Sequence, residues 1–320
     1  MKIKFNGELS SEYHLTGGGP QGTLLGLLEY LVQSNDNADC VGSEDRFMYV
    51  DDLSILEVLY LTGILVEYDC YQHVPSDIGT DQLFLPPEAF QTQDNLNHIS
   101  KWTEDNLMKI NSSKTNYMIF TRSKANFATR LNVDNQYIEQ LKETKLCGVW
   151  LTNNLKWDKN TREITRNAFA RMSMITKLKY VGVSREDLLG VYTLFIRSLT
   201  EYCSVVWHPS LTMELSWMLE RIQKTCLKVI LGDDYTGYEA ALDITKLQTL
   251  HQRREEKCLR FAKKCLKHPV NKRLFPLNKN EHTLHANSKE KFVVNFARGD
   301  ELKKSTIPYL QRRLNNEYQD

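Results

Sequence analysis

The chain has 320 residues, of which 41% are hydrophobic and 25% are charged, with 15 Gly and 8 Pro. This composition excludes a small disulfide scaffold, a fibrous protein and a disordered chain, and the length allows about two domains. The formal net charge of +1 hides a division: residues 1–155 carry 11 Lys and Arg against 21 Asp and Glu, and residues 156–275 carry 22 against 13. The pattern suggests an acidic part that gathers cations and a basic part that binds polyanions, although basic helices often simply face solvent.

Neither the cysteine pattern nor the apolar runs of the sequence indicate export or a membrane partner. Seven cysteines at irregular spacing, without a CxxC pair, argue against a disulfide framework. Cys258, Cys265 and His268 lack a fourth ligand at the spacing of a zinc site. The apolar run of residues 53–66 is interrupted by Glu57 and is shorter than the roughly 20 residues of a membrane helix. We therefore expect an intracellular protein with no membrane span.

Two local patterns stand at the beginning of the chain. Asn6-Gly7 lies between two short β-prone runs and is typical of a tight hairpin turn. Residues 17–22, GGGPQG, precede leucines at helical spacing, which predicts a glycine-rich loop that leads into a helix. A phosphate cradle of the P-loop type is a poor alternative, because the lysine-serine ending of that motif is missing.

An acidic pair lies between two further β-prone runs. Residues 47–50 and 53–56 predict a strand-turn-strand hairpin with Asp51 and Asp52 at its tip. Carboxylates in this position are suitable ligands for Mg²⁺, which prefers oxygen ligands and keeps several waters. Acidic pairs are also common in turns for local reasons. On these residues alone, both interpretations stay open.

The next segment alternates between helical and β-prone patterns. A helix is predicted over residues 88–106, and a strand over residues 116–121. Residues 145–149 and 154–157 flank the turn-prone Thr152-Asn153, which predicts one more hairpin.

Beyond residue 158 the hydrophobic period becomes helical. Three stripes carry it: Ile164, Ala168, Met172 and Ile175; Leu188, Tyr192, Phe195 and Leu199; and Leu215, Leu219, Ile222, Cys226 and Val229. Ser184 followed by Asp187 predicts an N-cap. A long helix is predicted over residues 247–268, and one more over residues 290–314.

The two faces of the helix over residues 247–268 are predicted from its period. Its inward face is predicted to hold Leu250, Cys258, Leu259 and Phe261. Its outward face is predicted to hold Arg253, Arg254, Lys257, Arg260, Lys263 and Lys264. The whole pattern predicts an α+β fold: an antiparallel sheet with helices in residues 1–158, an all-helical domain in residues 159–275, and a polar tail in residues 276–320 with one helix.

The order of these motifs resembles that of reverse transcriptases from retrotransposons without long terminal repeats. GGGPQGTLLGLLEYLVQSND is similar to the family's second palm motif, YVDD to its metal-binding third, and LMKINSSKTNYMIF to its fourth. KLCGVWLTNNLKW resembles the hairpin that grips the primer, and the helical region with EYCSVVWHPS resembles the thumb. Tyr49 follows Pro20 by 29 residues, which is similar to the order and approximate spacing of these motifs in the family. The resemblance covers residues 3–275.

The resemblance implies a partial palm followed by a thumb, in an RNA-directed DNA polymerase that extends a DNA primer with deoxynucleoside triphosphates on an RNA template. Two Mg²⁺ ions about 4 Å apart would carry the reaction. Asp51 would bind metal directly, Asp52 would support the same cluster, and Lys114 would protonate the departing pyrophosphate. Any surface lysine next to a strand would show the same sequence pattern as Lys114, so a surface residue without a catalytic role is the alternative.

The resemblance also implies positioning roles. The residues that would place the templating base and the nucleotide are Gly19, Pro20, Gln21 and Gly22. The residues that would shape the primer grip are Leu146, Gly148 and Trp150. Tyr202 and Trp207 fit the core better than base stacking. Lys and Arg of the thumb would contact phosphates without reading sequence.

The chain departs from the family pattern before the glycine-rich loop. Family enzymes have fingers there, and a first palm motif whose aspartate completes the metal cluster, whereas Glu8 and Glu12 are the only acids before Gly17. Glu29 also places an acid in a helix expected to be more apolar. We therefore expect little or no polymerase activity and weak Mg²⁺ binding from this chain alone. The alternative is a non-catalytic nucleic-acid-binding remnant of a transposable element, which the upstream sequence would distinguish.

Overall fold

A computed structural model gives the structure of the chain. It describes residues 4–12, 46–49, 52–59, 82–86, 91–121, 126–278, 291–294 and 299–318. These residues form helices and small sheets, so the predicted α+β class is confirmed. The chain divides into two compact units, residues 1–142 and 143–320. The assignment of a palm, a thumb and a tail stays a prediction.

The described strands of the first unit form five two-stranded ladders. They are β1 (Lys4–Phe5), β2 (Glu8–Leu9), β3 (Arg46–Tyr49), β4 (Asp52–Ile55), β5 (Gln82–Phe84), β6 (Asn116–Tyr117), β7 (Asn126–Ala128), β8 (Asn132–Val133), β9 (Gln136–Tyr137) and β10 (Glu139–Gln140). Ladders β1-β2, β3-β4 and β8-β9 are antiparallel. Ladders β5-β7 and β6-β10 are parallel, which the prediction of an antiparallel sheet did not include.

The two hairpins predicted nearest the N-terminus are both present. Asn6 and Gly7 have φ of 49° and 88°, the left-handed pair that a type I′ turn requires. In the second hairpin the register places Tyr49 opposite Asp52. Residues 50 and 51 connect these two partners and lie outside the described residues, as does the predicted loop and helix of residues 17–31.

The first described helix, α1 (Thr92–Asp105), confirms the helix predicted over residues 88–106. Its first turn is tied to the chain after β4, because the Glu57 carboxylate accepts from the backbone N–H of Gln91 at 2.9 Å and from the Thr92 hydroxyl at 2.5 Å. A carboxylate suits this end, where backbone N–H groups lack partners within the helix. The strand predicted over residues 116–121 is shorter, since β6 ends at Tyr117.

The second unit begins with a hairpin of β11 (Glu143–Leu146) and β12 (Val149–Thr152). Its turn is at Cys147 and Gly148, whose φ angles are 45° and 83°. The prediction of a hairpin turn at Thr152-Asn153 is therefore wrong. A glycine at the second turn position adopts positive φ without strain, and this outweighed the polar turn signal five residues later.

Helices make up most of the remaining second unit. They are α2 (Asp158–Tyr180), α3 (Arg185–Val191), a π-helical segment (Tyr192–Arg197), α4 (Ser198–Glu201), α5 (Ser204–Trp207), α6 (Met213–Leu231), α7 (Tyr238–Thr245), α8 (Leu250–Lys267), α9 (Asp300–Lys303) and α10 (Thr306–Glu317). Short 3-10 turns cover His208–Ser210, Gly232–Asp234 and Asn271–Leu274. The last two α-helices confirm part of the helix predicted over residues 290–314. Among the described residues, none of the helices is long and apolar enough to cross a membrane.

The predicted N-cap of α3 is confirmed, because the Ser184 side chain accepts a hydrogen bond from the Asp187 backbone N–H. The main core lies where α2, the π-helical segment and α6 pack together. Its fully buried residues include Ala168, Ile175, Tyr192, Ile196, Leu219 and Ile222. Phe195 was predicted on this face but is 50% exposed. The wider π-helical turn rotates the helix so that Ile196 takes the inward position.

Helix α8 departs most from its predicted pattern at Phe261 and Arg254. Leu250 and Cys258 are buried as predicted, whereas Phe261 is 42% exposed and Arg254 is fully buried. The predictions for Phe261 and Arg254 are therefore wrong. Cys258 and Ala262 pack against Leu310 and Leu314 of α10, which leaves Phe261 outside the buried face. The burial of Arg254 has a separate cause, its contacts with His208 and Ser216.

Candidate functional site

The predicted metal-binding turn lies largely outside the described residues. Asp52 is the first residue of β4 and its side chain is exposed to solvent. Asp51 and the predicted positioning residues Gly19, Pro20, Gln21 and Gly22 are not described. The structure therefore places one predicted metal ligand beside the turn of an exposed hairpin, and its role stays a prediction.

Lys114 lies in a turn before β6. Its backbone N–H donates to the carbonyl of Asn111 at 3.0 Å, and its side chain is exposed. Among the described residues no ion pair or hydrogen bond joins Lys114 to Asp52. The pairing of Lys114 with the predicted metal ligands therefore stays a prediction.

The hairpin predicted as a primer grip is held firmly by the helices of its own unit. The Trp150 backbone N–H donates to the buried Asn160 side chain at 3.2 Å, and the Lys159 ammonium lies 4.9 Å from the centre of the Trp150 ring. Lys159 also forms a 3.0 Å ion pair with Glu143. Leu146 is 40% exposed at the end of β11. The hairpin therefore has an exposed side chain at Leu146, while contacts with Lys159 and Asn160 of α2 hold its strands in place.

The turn of this hairpin is fixed separately by Tyr202. The Tyr202 hydroxyl donates to the Cys147 carbonyl at 2.8 Å. Tyr202 was predicted in the core, but its side chain is 54% exposed and closes over the turn instead. Trp207 is fully buried as predicted, and its indole N–H donates to the Tyr202 carbonyl at 3.1 Å. The turn is thus linked to the buried core through Tyr202 and Trp207.

A methyl group at Gly148 should loosen this contact. Gly148 has a φ of +83°, and a Cβ there would lie 3.2 Å from Cε1 of Tyr202. We expect Gly148→Ala to lower the free energy of unfolding by about 2 kcal/mol, through left-handed backbone strain and displacement of Tyr202. Gly182→Ala is the matched control, since Gly182 has a φ of +86° and open space around it. Denaturant unfolding should show the smaller loss for Gly182→Ala, and equal losses would contradict the Tyr202 contact.

A second cluster, which the sequence did not predict, surrounds Arg254. Its Nε donates to Nδ1 of His208 at 3.3 Å and its Nη2 to the Ser216 hydroxyl at 3.4 Å. The guanidinium lies 5.9 Å from the centre of the Trp207 ring. Its Nη1 has no hydrogen-bond partner among the described residues. A fully buried cation of this kind is costly, so its hydrogen bonds to His208 and Ser216 matter.

His208 joins this arginine to two further titratable groups. Its Nε2 lies 3.7 Å from Oε1 of Glu255, and its ring meets the His251 ring edge-on with centres 5.2 Å apart. Burial, then the nearby Arg254 and His251, lower the pKa of His208 to about 4. The ring is therefore neutral near pH 7. The one sequence signal for this cluster is the i, i+4 spacing of His251 and Glu255 on α8, while His208 is distant in sequence.

A third polar group links α4 to α8. The buried Glu201 carboxylate forms ion pairs with Arg253, with Lys257 at 2.6 Å and with Arg197 at 3.7 Å. Burial alone would raise the pKa of Glu201, but hydrogen bonds from Arg253 and Lys257 outweigh burial and lower it. Arg253 and Lys257 were predicted to face solvent, and this carboxylate draws them to the bundle.

Comparisons with known proteins add no relative to this description. The sequence matches no protein-family model and no curated protein, and the structure matches no solved structure.

Proposed function

We propose that this chain is the palm-and-thumb portion of an RNA-directed DNA polymerase, with Asp51 and Asp52 as ligands for catalytic Mg²⁺. The observation that carries the proposal is the pairing of β3 with β4. The register leaves only residues 50 and 51 between paired strands, so the sequence YVDD coincides with a hairpin tip. Adjacent carboxylates at such a tip suit hard divalent cations that keep open positions for substrate oxygens.

The hairpin of residues 143–152 supports the same proposal. It follows the proposed palm in the order that the resemblance requires, and it exposes Leu146 while the Trp150 backbone N–H is fixed by Asn160. A rigid exposed edge of this kind is suited to hold a primer strand in register during repeated nucleotide addition. The basic excess of residues 156–275 suits the phosphates of a primer–template duplex.

Mg²⁺-dependent extension of a DNA primer on an RNA template tests the catalytic part of the proposal. The variant is the double substitution Asp51→Asn, Asp52→Asn, and the control is Asp94→Asn, an exposed acid in the first turn of α1. Extension that survives in the control and is lost in the double variant, by a factor of about 10³ or more, would support the metal-ligand role. Extension that persists in the double variant would contradict it.

A non-catalytic nucleic-acid-binding role is the second candidate, and the basic composition of residues 156–275 favours it. Binding of an RNA–DNA duplex should then weaken steeply between low and moderate salt, because each phosphate contact releases counterions. Salt-sensitive binding without any Mg²⁺ binding that depends on Asp51 and Asp52 would favour this candidate, whereas little or no extension is expected of this chain alone under either candidate. A chain that neither extends a primer nor binds a duplex at low salt would contradict both.

A further inference from the structure

The side chains of His208, His251 and Glu255 form a cluster whose ligand atoms all lie within 4.8 Å of one another. His251 and Glu255 lie on the same face of α8, one helical turn apart. His208 approaches them from the 3-10 turn His208–Ser210, with its Nε2 3.7 Å from the Glu255 carboxylate. Two imidazoles and a carboxylate from two chain segments therefore converge on one point.

The protonation states of this cluster suit a cation. His208 accepts a 3.3 Å hydrogen bond from Nε of Arg254 at its Nδ1, so it is a neutral imidazole rather than an imidazolium. Glu255 pairs with the Arg313 guanidinium and accepts a hydrogen bond from the Tyr309 hydroxyl, and both contacts favour its ionised form. Glu255 is therefore a carboxylate. A metal ligand must be unprotonated at its ligating atom, a condition that the Glu255 carboxylate meets directly and that His208 meets once its proton moves from Nε2 to Nδ1.

The carboxylate is also oriented by groups outside the cluster. Nη2 of Arg313 lies 2.9 Å from Oε2 of Glu255, and the Tyr309 hydroxyl donates to Oε1, which keeps a second lone pair. Partners of this kind fix the direction of a metal-ligating carboxylate. His251 is exposed, so an ion can reach the cluster from solvent and keep water in its remaining positions.

We propose that His208, His251 and Glu255 bind one divalent transition-metal ion, with Zn²⁺ as the best fit. Imidazole nitrogen favours zinc and its neighbours in the first transition row, whereas Mg²⁺ prefers oxygen ligands. Three protein ligands with one open position match the common coordination of accessible zinc sites. This site is distinct from the proposed Asp51-Asp52 centre and does not depend on polymerase activity.

Arg254 limits the affinity of this site. Its Nε donates to Nδ1 of His208, which places the proton of the neutral ring on Nε2, the atom that faces the cluster. Metal ligation moves this proton to Nδ1 and breaks the 3.3 Å hydrogen bond. The second ring nitrogen of a zinc-bound histidine usually donates its N–H to an acceptor, and Arg254 offers only a donor there, so the site binds zinc more weakly than structural zinc centres do.

The bound ion would connect three elements of the second unit. It would join the turn at His208 to α8, and through Tyr309 and Arg313 it would stiffen the contact of Glu255 with α10. An ion that binds only the folded chain stabilises it according to its free concentration. Zn²⁺ should therefore raise the thermal unfolding temperature.

Titration of Zn²⁺ into the full chain, stripped of metal by a chelator, tests the proposal, and Co²⁺ absorption gives a second readout of the ligand set. We expect His251→Gln and Glu255→Gln each to weaken Zn²⁺ binding by at least about 10-fold and to abolish the Zn²⁺-dependent rise in unfolding temperature. His98→Gln is the matched control, since His98 is an exposed histidine on α1. Both test positions are at least partly exposed, so these variants can fold, and unfolding without metal verifies it. Unchanged Zn²⁺ affinity in either variant would overturn the proposal.

Discussion

Acidification from pH 7 to pH 4 should lower the free energy of unfolding by about 3 kcal/mol through His208 alone. The folded chain holds the pKa of this side chain near 4, compared with an ordinary value of 6.5. Above pH 6.5 neither state binds the proton, and the full stability is present. As the pH falls from 6.5 to 4, the unfolded chain takes up a proton that the folded chain does not, so stability is lost over this window.

Urea unfolding at pH 7 and pH 4, with a chelator present, measures this loss. In His208→Gln the loss should be smaller by about 3 kcal/mol, because no imidazole is left to titrate and the amide oxygen still accepts from Arg254. His98→Gln replaces an exposed helical histidine and should keep the steep pH dependence of the parent. An equal loss in His208→Gln and in the parent would show that His208 is not held neutral by the fold.

Glu201→Gln should destabilise the chain by about 3 kcal/mol at pH 7. The carboxylate is only 7% exposed and is the shared partner of Arg197, Arg253 and Lys257. Its removal leaves three cations near the bundle without their counterion, and it cuts the ionic link between α4 and α8. The same carboxylate has a lowered pKa, so its contribution is present above about pH 4.5 and is lost as the pH falls through the folded pKa.

The matched control is Glu163→Gln, which breaks an i, i+3 ion pair with Arg166 on the surface of α2. Surface pairs of this kind contribute little, so the control should change stability by less than about 1 kcal/mol. Chemical denaturation at pH 7 compares the two variants, and their difference should shrink once the pH falls below the lowered pKa of Glu201. A small effect of Glu201→Gln at pH 7 would mean that the three cations find water or other partners without cost.

Local turn and cap chemistry was predictable from the sequence. Asn6-Gly7 adopts the positive φ angles that its residue types favour, and the Ser184 hydroxyl caps α3 as its spacing to Asp187 predicts. These features depend on neighbours within a few residues. The buried stripe of α6, from Leu215 to Cys226, was predictable for the same reason, because the spacing of apolar residues along one helix indicates which of its faces is buried.

Features that depend on distant contacts were not predictable in this way. The sequence pattern predicts that Arg254 on α8 faces solvent. Its burial is explained only by its hydrogen bonds to His208 and Ser216, which come from other elements. The parallel ladders β5-β7 and β6-β10 join strands that are far apart in sequence. Turn propensity also predicted the hairpin turn at Thr152-Asn153, whereas the strand register places it at Cys147-Gly148, where the Tyr202 hydroxyl donates to the Cys147 carbonyl.

The π-helical segment Tyr192–Arg197 determines how the structure would respond to the deletion of one residue. A π-helical turn contains one residue more than the α-helical turn that it replaces, so deleting one residue within this segment would restore a regular helix. Every following position of that helix would then rotate by about 100°. Tyr202 would swing away from Cys147 and Glu201 away from Arg253, although each side chain would itself be unaltered. A single-residue deletion here would thus rotate the chain that follows it. It would disturb the hairpin turn at Cys147, about 50 residues earlier in the sequence, through the contact of that turn with Tyr202.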